Sequence, residues 1–228
     1  MDQNLKISIA LPVHEMDNWE FFLRRIFASI KAQSYKNYEV IITDNSDSNN
    51  IFNVCKEYRN TDFPHFFYRK NTRKGMAQNT NEAIKLSTGD IIKIIYLDDY
   101  FAHEDALKDI VEAFKGEWMA TGCLHDNGYG AIRPHQASFS GIMSNQNTIG
   151  SPSVVAIKNR RDDNLMFDEK MTWLLDVDYY KRMYLKYGEP TILPTMNVVI
   201  GLHSGQATNT MGEARKKEEE EYIKSKQI

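Results

Sequence analysis

Two adjacent aspartates, Asp98 and Asp99, follow the most apolar run of the chain, IIKIIYL at residues 91–97. Carboxylates so close together repel each other unless protons or cations intervene, and a hard divalent ion that carries a phosphate is an economical partner for them. The alternative is that the pair caps a helix beginning near Glu104 or is simply solvated in a loop. The dipeptide alone leaves both interpretations open.

Polar clusters follow two other apolar runs in the same way. The three clusters are Pro12, His14 and Glu15 in the first, Asp44, Asn45 and Asp47 in the second, and Asp98 with Asp99 in the third. In open α/β sheets, ligands bind beyond the carboxyl ends of the strands, where loops diverge and helix N-termini point at the crevice. Three polar clusters at such ends are therefore the first indication of a binding site.

The elements that must position these clusters alternate along the first half of the chain. Apolar runs predict strands at residues 7–13, 38–43, 65–69 and 91–97. Helical spacing of apolar residues predicts helices near 19–30, 51–58, 76–89 and 104–114, and Asp17 with Glu20 resembles a capping box for the first of them. Strands that alternate with helices predict right-handed crossovers, and hence an α/β fold with a mostly parallel sheet covered by helices on both faces.

The second half of the chain has a looser pattern, beginning near Trp118. Shorter strands and loops rich in Gly, Asn and Ser predict a smaller lobe. A helix is predicted in residues 172–188, ending at a Gly188 C-cap, and a late strand at 197–203. The charge run at 213–226 predicts a solvated helix or a frayed end. We expect a single domain at 1–210, with halves at about 1–117 and 118–210, followed by a charged tail at 211–228.

Composition excludes several classes of protein. A net charge of -3, with 42% hydrophobic and 26% charged residues, is typical of an ordinary globular protein and predicts no nucleic-acid partner. Two cysteines, Cys55 and Cys123, are too few for a disulfide scaffold and favour reduced thiols in a cytoplasmic protein. The N-terminus lacks the pattern of a signal peptide. The longest apolar run is too short to cross a bilayer, so any membrane contact would be peripheral.

The stretch NTRKGMAQNTNEAIKLSTGDIIKIIYLDDYF, residues 71–101, resembles the inverting glycosyltransferases of family two, which have the GT-A fold. In those proteins an Asn/Gly-rich helix start leads through a Gly-acidic pair and an apolar strand to an Asp-x-Asp motif. In this register Tyr96 stands at the first Asp, Asp98 at the second, and Asp99 is the acidic residue that often follows. The second Asp is the family's principal metal contact.

Other segments are similar to the same family in the same order, over about residues 5–205. ISIALPVHEM resembles its first strand, whose end meets the nucleotide, and Asp44 in VIITDNSDSN matches an Asp that contacts the base. In NTRKGMAQN the family's Asn, Ala and Asn positions are kept, whereas Arg73 and Gln78 replace a Gly and an Arg. The resemblance implies donor contacts from Pro12, His14, Glu15, Asp44, Asn71, Lys74, Asn79 and Asp98, and metal contacts from Asp98, Asp99 and His203.

The acceptor side of the resemblance rests on WLLDVDYYKRM, which is similar to the family's segment for the catalytic base. Leu175 stands at its first acidic position, Asp176 matches the base, and Asp178 follows two residues later. Because side chains two apart on a helix point in different directions, only one of these aspartates is expected to face the acceptor, and we assign Asp176. The alternative is an acid that merely favours the helix dipole.

The implied activity is inverting transfer of a sugar from a nucleoside diphosphate donor, most commonly a UDP-sugar, with Mn²⁺ or Mg²⁺. The acceptor would be a hydroxyl of a glycan or lipid-linked sugar, as in polysaccharide biosynthesis. The chain has no Q-x-x-R-W motif and no membrane spans, which favours non-processive transfer. Tyr96, Leu175, Arg73 and Gln78 favour the alternative of a degenerate domain that binds a nucleotide or glycan without turnover. A nucleotidyltransferase is disfavoured because the G-x-G-T-R signature is missing.

Overall fold

Seven consecutive buried residues, Ile7–Val13, form the first strand, β1, at the centre of the parallel part of the sheet. The computed structural model describes residues 4–59, 61–63, 65–128 and 132–226. The other strands are β2 Tyr38–Asp44, β3 Phe66–Lys70, β4 Ile91–Ile94, β5 Tyr100–Phe101, β6 Trp118–Asp126, β7 Ile132–His135, β8 Val155–Lys158 and β9 Thr191–Gly201. The helices are α1 Trp19–Lys31, α2 Asn50–Tyr58, α3 Met76–Leu86, α4 Ala106–Ala113, α5 Leu175–Tyr187, α6 Ala207–Thr210 and α7 Glu213–Ser225.

The first four major strands form a parallel sheet in the order β3-β2-β1-β4. Strands β1, β2 and β4 are buried along their whole length, which explains why they read as continuous apolar runs. In the β1–β2 register, Val13 lies opposite Asp44, so the loops after these strands leave the same edge of the sheet. The predicted α/β fold with a mostly parallel sheet is confirmed.

The second half of the chain extends the sheet with strands that pair in both parallel and antiparallel directions. Strand β8 pairs antiparallel with β4 and β6, β9 pairs parallel with β6, and β5 joins the far side of β9. The described residues thus form a sheet of nine strands in which β6 also pairs with β7. Because β9 ends beside β5, the residues after β9 return to the segment that carries Asp98 and Asp99.

Three local predictions are corrected by the structure. Helix α1 begins after Asn18, whose left-handed backbone (φ 61°) makes no side-chain cap, so Asp17 and Glu20 form no capping box. Strand β4 ends at Ile94 instead of residue 97, and the Tyr96 amide donates to the Ser153 hydroxyl oxygen at 2.8 Å. The alternative in which Asp98 and Asp99 cap α4 is also wrong, because the residue before that helix is Asp105.

The charge run at the end of the chain is a helix, as predicted, but one face of it is buried. Ile223 is 1% exposed and belongs to the hydrophobic core, and the carboxylate-bearing Glu219 is also 1% exposed. The expectation of a solvated tail is therefore corrected. At the other predicted helix end, Gly188 follows α5 with a positive φ of 81°, a conformation that glycine adopts without strain. None of the described helices combines the length and apolar composition of a membrane span.

Candidate active site

The polar clusters after β1, β2 and β4 meet with the end of β9 at the edge of the sheet where the sequence predicts a ligand-binding crevice. His14 lies within electrostatic range of the carboxylates of Asp44 and Asp98 and of the imidazole of His203. Burial lowers the pKa of His14, the two carboxylates raise it, and His203 lowers it further. The sequence-predicted residues His14, Asp98 and His203 are thus brought together although 189 positions separate the first from the last.

Asp98 and His203, two of the predicted metal ligands, contact each other directly. Nε2 of His203 lies 3.0 Å from Oδ2 of Asp98, and both side chains are partly exposed, at 23% and 18%. The Gly205 amide donates to Nδ1 at 3.2 Å, so the proton in the neutral ring belongs on Nε2 and points at Asp98. The Arg25 guanidinium donates to the Asp98 carbonyl oxygen at 2.5 Å and holds this loop in place.

This donor set suits a divalent cation that brings other ligands with it. Carboxylate oxygen is a preferred ligand of Mn²⁺ and Mg²⁺, and Mg²⁺ commonly keeps waters and substrate phosphates as its remaining ligands. Among the described residues, no group of three His, Cys, Asp or Glu side chains is arranged to hold a metal ion. Asp98 therefore fits a cation bound together with a diphosphate. His203 would bind the cation through Nε2 only with the ring proton moved to Nδ1, the atom to which the Gly205 amide donates in this structure.

Asp99 faces the interior behind Asp98 and is only 2% exposed. Its carboxylate accepts from the Gly201 amide at 3.0 Å and bonds with the Ser153 side chain, and Lys93 lies fully buried nearby. Burial, followed by the charge of Asp98, raises the pKa of Asp99 well above its usual range. In this arrangement Asp99 ties the segment after β4 to the end of β9, and a metal contact from its carboxylate stays a prediction.

Asp44 is also internal, with no exposed surface. One carboxylate oxygen accepts from the Ser46 amide at 2.8 Å, and the other accepts from the Tyr68 hydroxyl at 2.5 Å and from Lys70 at 3.2 Å. A direct contact with a nucleotide base would require one of these partners to move. In the described arrangement, Asp44 shapes the loop after β2 instead of presenting its carboxylate to the crevice.

Two buried asparagines of the predicted donor site, Asn71 and Asn79, form hydrogen bonds at the ends of the parallel strands. Asn79, on α3, donates to the carbonyl oxygens of Val13 at 3.0 Å and Thr43 at 2.9 Å, and its own oxygen accepts from Asn71 at 3.3 Å. Both asparagines are buried, at 3% and 7% exposure. Their contacts position the loops after β1 and β2, and direct contacts from these asparagines to the donor stay a prediction.

The remaining predicted donor residues border these loops. Pro12 is buried within β1, and the Glu15 amide donates to the Ser46 hydroxyl oxygen at 2.8 Å. Lys74 is exposed and pairs with Asp47 at 2.7 Å. Lys74 also lines a cavity of about 510 Å³ between the start of α3 and α7, which holds none of the other predicted site residues.

Asp176 lies in the first turn of α5 and is half-buried. Its Oδ2 accepts from the Asn147 amide at 2.6 Å and its Oδ1 from the Val177 backbone amide at 2.7 Å. Burial outweighs these hydrogen bonds and raises the pKa of Asp176 to about 7. A carboxylate with this pKa is matched to removing a proton near neutral pH.

Asp178 differs from Asp176 in its burial and in its partners. It is fully buried, accepts from Nε of Arg182 at 2.8 Å and contacts Lys226 on the other side. Asp176, by contrast, lines a cavity of about 390 Å³ together with Asn147, Trp173 and Lys224. Of the two aspartates, only Asp176 borders a space that an acceptor could enter.

Tyr96 connects the two sides of the site. Burial raises its pKa, and the carboxylates of Asp176, Asp99 and Asp98 add to this shift, so the phenol lies within electrostatic range of all three. Its hydroxyl oxygen is 3.4 Å from the Thr80 hydroxyl oxygen. The residue that replaces the first Asp of the motif is therefore a neutral group near both Asp98 and Asp176.

Sequence patterns missed three residues of this site. Asn147 contacts Asp176, Ser153 bonds to both the Tyr96 amide and Asp99, and Glu219 lies within electrostatic range of Asp176. The first two lie in a loop region without periodicity, of which residues 129–131 are outside the described part. Glu219 lies in a run of four glutamates in which nothing distinguishes it from its neighbours.

A known protein family matches most of the chain. The model of the family described as "Glycosyl transferase family 2" matches residues 8–184. The chain is 26% identical to glycosyltransferase GlyA of Streptococcus pneumoniae over 110 residues, 47% of the chain and 15% of GlyA. It is 24% identical to the putative colanic acid biosynthesis glycosyl transferase WcaA of Escherichia coli over 218 residues, 90% of the chain and 76% of WcaA.

Solved structures with a similar fold come from more distant proteins. TarS of S. aureus in complex with UDP-GlcNAc matches with a TM-score of 0.71 at 17% identity, over 91% of the chain and 62% of the TarS fragment. The mannosyltransferase PcManGT of Pyrobaculum calidifontis, in complex with GDP-Man and Mn²⁺, matches with a TM-score of 0.64 at 14% identity, over 87% of the chain and 57% of that protein. At these identities the likeness bears on the fold.

Proposed function

Because the chain belongs to glycosyl transferase family 2, we propose that it transfers a sugar from a nucleoside diphosphate donor to an acceptor hydroxyl with inversion and with dependence on a divalent metal. The observation that carries this proposal is that one buried phenol, Tyr96, lies within electrostatic range of both Asp98 and Asp176. Asp98 bonds to His203, and the half-buried carboxylate of Asp176 has a pKa of about 7. A leaving diphosphate and an acceptor hydroxyl need these two kinds of group on opposite faces of a sugar.

The proposed donor site is the crevice bordered by His14, Asp98 and His203. Asp98 and His203 would hold Mn²⁺ or Mg²⁺, which neutralises the charge that develops on the leaving diphosphate. Buried contacts from Asp44, Asn71, Asn79 and Asp99 keep the loops of this crevice in place. A UDP-sugar is our first expectation, and the GDP-mannose complex of a protein with a similar fold makes a guanosine donor the next to test.

Asp176 would act as the general base of a single displacement. Its ionised carboxylate takes the proton of the acceptor hydroxyl while the acceptor oxygen bonds to the anomeric carbon. The bond from that carbon to the diphosphate oxygen breaks on the opposite face, and the nucleoside diphosphate leaves. Attack from the face opposite to the leaving group inverts the anomeric centre.

The acceptor site is proposed to be the cavity beside Asp176. Asn147 and Trp173 offer a hydrogen-bonding amide and a flat apolar ring, the two kinds of group that commonly bind a sugar. We propose that a glycan or lipid-linked sugar enters here and receives one sugar per encounter. Cys55 and Cys123 are buried, unpaired thiols, which supports a reducing, cytoplasmic setting.

The test is release of nucleoside diphosphate from UDP-GlcNAc, UDP-glucose and GDP-mannose, with Mn²⁺, Mg²⁺ or EDTA and with water as the acceptor. Turnover of one donor that needs metal, is abolished by Asp98→Ala and falls by roughly 10²- to 10⁴-fold in Asp176→Asn is expected. Asp163→Asn is the matched control, because the Asp163 side chain is 68% exposed and forms an ion pair with Lys186 on the surface. Equal turnover by Asp176→Asn and the control would contradict the assignment of the base.

A binding protein without turnover is the second candidate. Tyr96 and the buried Leu175 occupy positions where family members carry acids, so two ionisable groups of the family pattern are missing. In that case one donor would bind in a metal-dependent way, and neither water nor any acceptor would release nucleoside diphosphate. Calorimetry with the same three donors, run beside the turnover assay, separates the two candidates.

A further inference from the structure

Helix α7 packs on the segment that leads into α5 and holds it at several points. Ile223 anchors the helix in the core, and the Tyr222 hydroxyl donates to Asp168 at 3.0 Å. The Arg215 guanidinium donates to the Lys170 carbonyl oxygen at 2.9 Å. At the end of the helix, Lys226 joins Asp168 to Asp178. The contacts span residues 168–178, the stretch that contains Asp176.

The most buried of these contacts is made by Glu219. Its Oε1 accepts from the Thr172 amide at 2.9 Å, and its Oε2 accepts from the amides of Trp173 at 2.8 Å and Leu174 at 3.0 Å. A carboxylate that is 1% exposed and accepts three charge-assisted hydrogen bonds is a strong and specific contact. Leu174 is the residue before α5 and provides no side-chain cap, so Glu219 binds the start of α5 from 45 residues away.

The three bound amides lead directly to the proposed base. Asp176 is two residues beyond Leu174, in the first turn of α5. The same segment carries Trp173, which lines the cavity beside Asp176. A shift of residues 172–174 would therefore move both the carboxylate that receives the proton and one wall of the proposed acceptor site.

We propose that Glu219 is a positioning residue for Asp176, which makes the C-terminal helix part of the catalytic apparatus of this protein; the inference rests on the function proposed above. Glu219 does not touch the reacting atoms. It acts through the backbone of residues 172–174, which it holds so that the Asp176 carboxylate meets Asn147 and faces the cavity.

The charge of Glu219 affects a measurable quantity, the midpoint of the pH profile. A residue with a merely structural role would leave this midpoint unchanged. The titratable and charged groups around Asp176 are Tyr96 after β4, Tyr180 on its own helix, and Glu219, Glu220 and Lys224 on α7. The negative charge of Glu219 raises the pKa of Asp176. Removing that charge lowers the pKa, so the base would be ionised at a lower pH.

The experiment compares Glu219→Gln with Glu221→Gln, a neighbouring and exposed glutamate on α7. The probe is metal-dependent hydrolysis of the donor that turns over, with donor affinity measured separately. We expect Glu219→Gln to lower kcat by at least about 10-fold, as misplacement of a catalytic group does, with donor Kd unchanged. The acid limb of its pH profile should move to lower pH, and Glu221→Gln should match the wild type on all three measures.

A variant that is partly unfolded still reports on the proposal when the turnover at each pH is divided by the folded fraction measured at that pH. If Glu219→Gln gives no soluble protein, Glu219→Asp keeps the charge but shortens the reach, and we expect a lower kcat with an unmoved midpoint. A variant of Glu219 with wild-type kcat per folded molecule and an unmoved midpoint overturns the inference. Asp176→Asn is assayed beside it: undiminished turnover there would mean that the proposed base itself is wrong.

Discussion

Asp176 shows how environment can give an ordinary carboxyl group the properties of a base. Two hydrogen bonds, from Asn147 and Val177, stabilise its ionised form, and burial opposes them. Burial wins, and the pKa rises to about 7. The carboxylate is then basic enough to accept a proton from a hydroxyl that loses it to bond formation, and it is still ionised in a large share of molecules at neutral pH.

The pH dependence of turnover follows from this pKa. Asp176 acts as a base only when unprotonated, so kcat should fall by about tenfold for each pH unit below 7 and level off above it. Asp176→Asn should lose this acid limb and keep only residual turnover. Donor hydrolysis measured from about pH 5 to 9 checks both expectations, and a wild-type profile that stays flat through pH 7 would contradict the assignment.

Asp98 and Asp99 should separate into two different phenotypes although they are neighbours. Asp99 is buried and accepts from the Gly201 amide, so Asp99→Ala leaves that donor unpaired and should cost about 1–3 kcal/mol of unfolding free energy. Asp98 is partly exposed, so Asp98→Ala should unfold close to the wild type while losing metal-dependent donor binding. Urea unfolding and calorimetry with Mn²⁺ make the comparison.

Residue spacing predicted the loops that form the candidate site. It was less successful in predicting which of their side chains face that site. The motif register placed Asp98, His203 and Asp176 in segments that the fold brings around Tyr96. The same register also selected Asp44 and Asp99, which turn inward. Whether a loop side chain points into a crevice or toward the interior depends on partners such as Tyr68 and Gly201, which are distant in sequence and leave no local pattern.

At the scale of elements, α3 acts as a clamp on the parallel sheet. Asn79 spans from this helix to the last carbonyl oxygens of β1 and β2, the two strands whose loops border the crevice. Asn71 in turn binds Asn79 and the amide of Arg73, which orders the loop between β3 and α3. A buried polar network of this kind stabilises a specific loop conformation only while every member is present.

Replacing Asn79 tests the clamp. Asn79→Ala leaves the carbonyl oxygens of Val13 and Thr43 without their side-chain donor, and we expect a loss of about 1–3 kcal/mol in unfolding free energy together with weaker donor binding. Asn49→Ala is the matched control, since Asn49 is exposed and its side chain makes no cap, and it should stay within about 0.5 kcal/mol of the wild type. A normal donor affinity in Asn79→Ala would show that the loops hold without the clamp.

Elements with a strong hydrophobic pattern were predictable and those defined by local geometry were less so. Strands β1 and β2 are buried on both faces, so their apolar runs identify them directly. The start of α1 was misjudged because Asn18 adopts a left-handed conformation there and no side chain caps the helix. The docking of α7 depends on Glu219, whose carboxylate accepts from amides at least 45 residues away, and on the burial of Ile223 in the core. Charge patterning along the helix reveals neither contact.

At the scale of the whole molecule, the site is assembled from both halves of the chain and from its last helix. The parallel half supplies His14 and Asp98, the second half supplies Asp176 and His203, and α7 supports the approach to Asp176. A ligand that contacts groups from several elements binds only when they are all in place. Its binding free energy should therefore add to the stability of the native state as a whole.

Thermal unfolding with nucleoside diphosphate and metal measures this coupling directly. At a ligand concentration of about 100 times Kd, binding adds about 2.7 kcal/mol, which corresponds to a rise in Tm of roughly 5–10 °C for a chain of this size. UDP or GDP with Mn²⁺ should produce the shift, and EDTA or Asp98→Ala should remove most of it, because the diphosphate then lacks its neutralising cation. Asp176→Asn should keep the shift, since the base lies on the acceptor side. If the nucleotide stabilises Asp98→Ala as much as the wild type, the metal and diphosphate are bound elsewhere than at the Asp98–His203 pair.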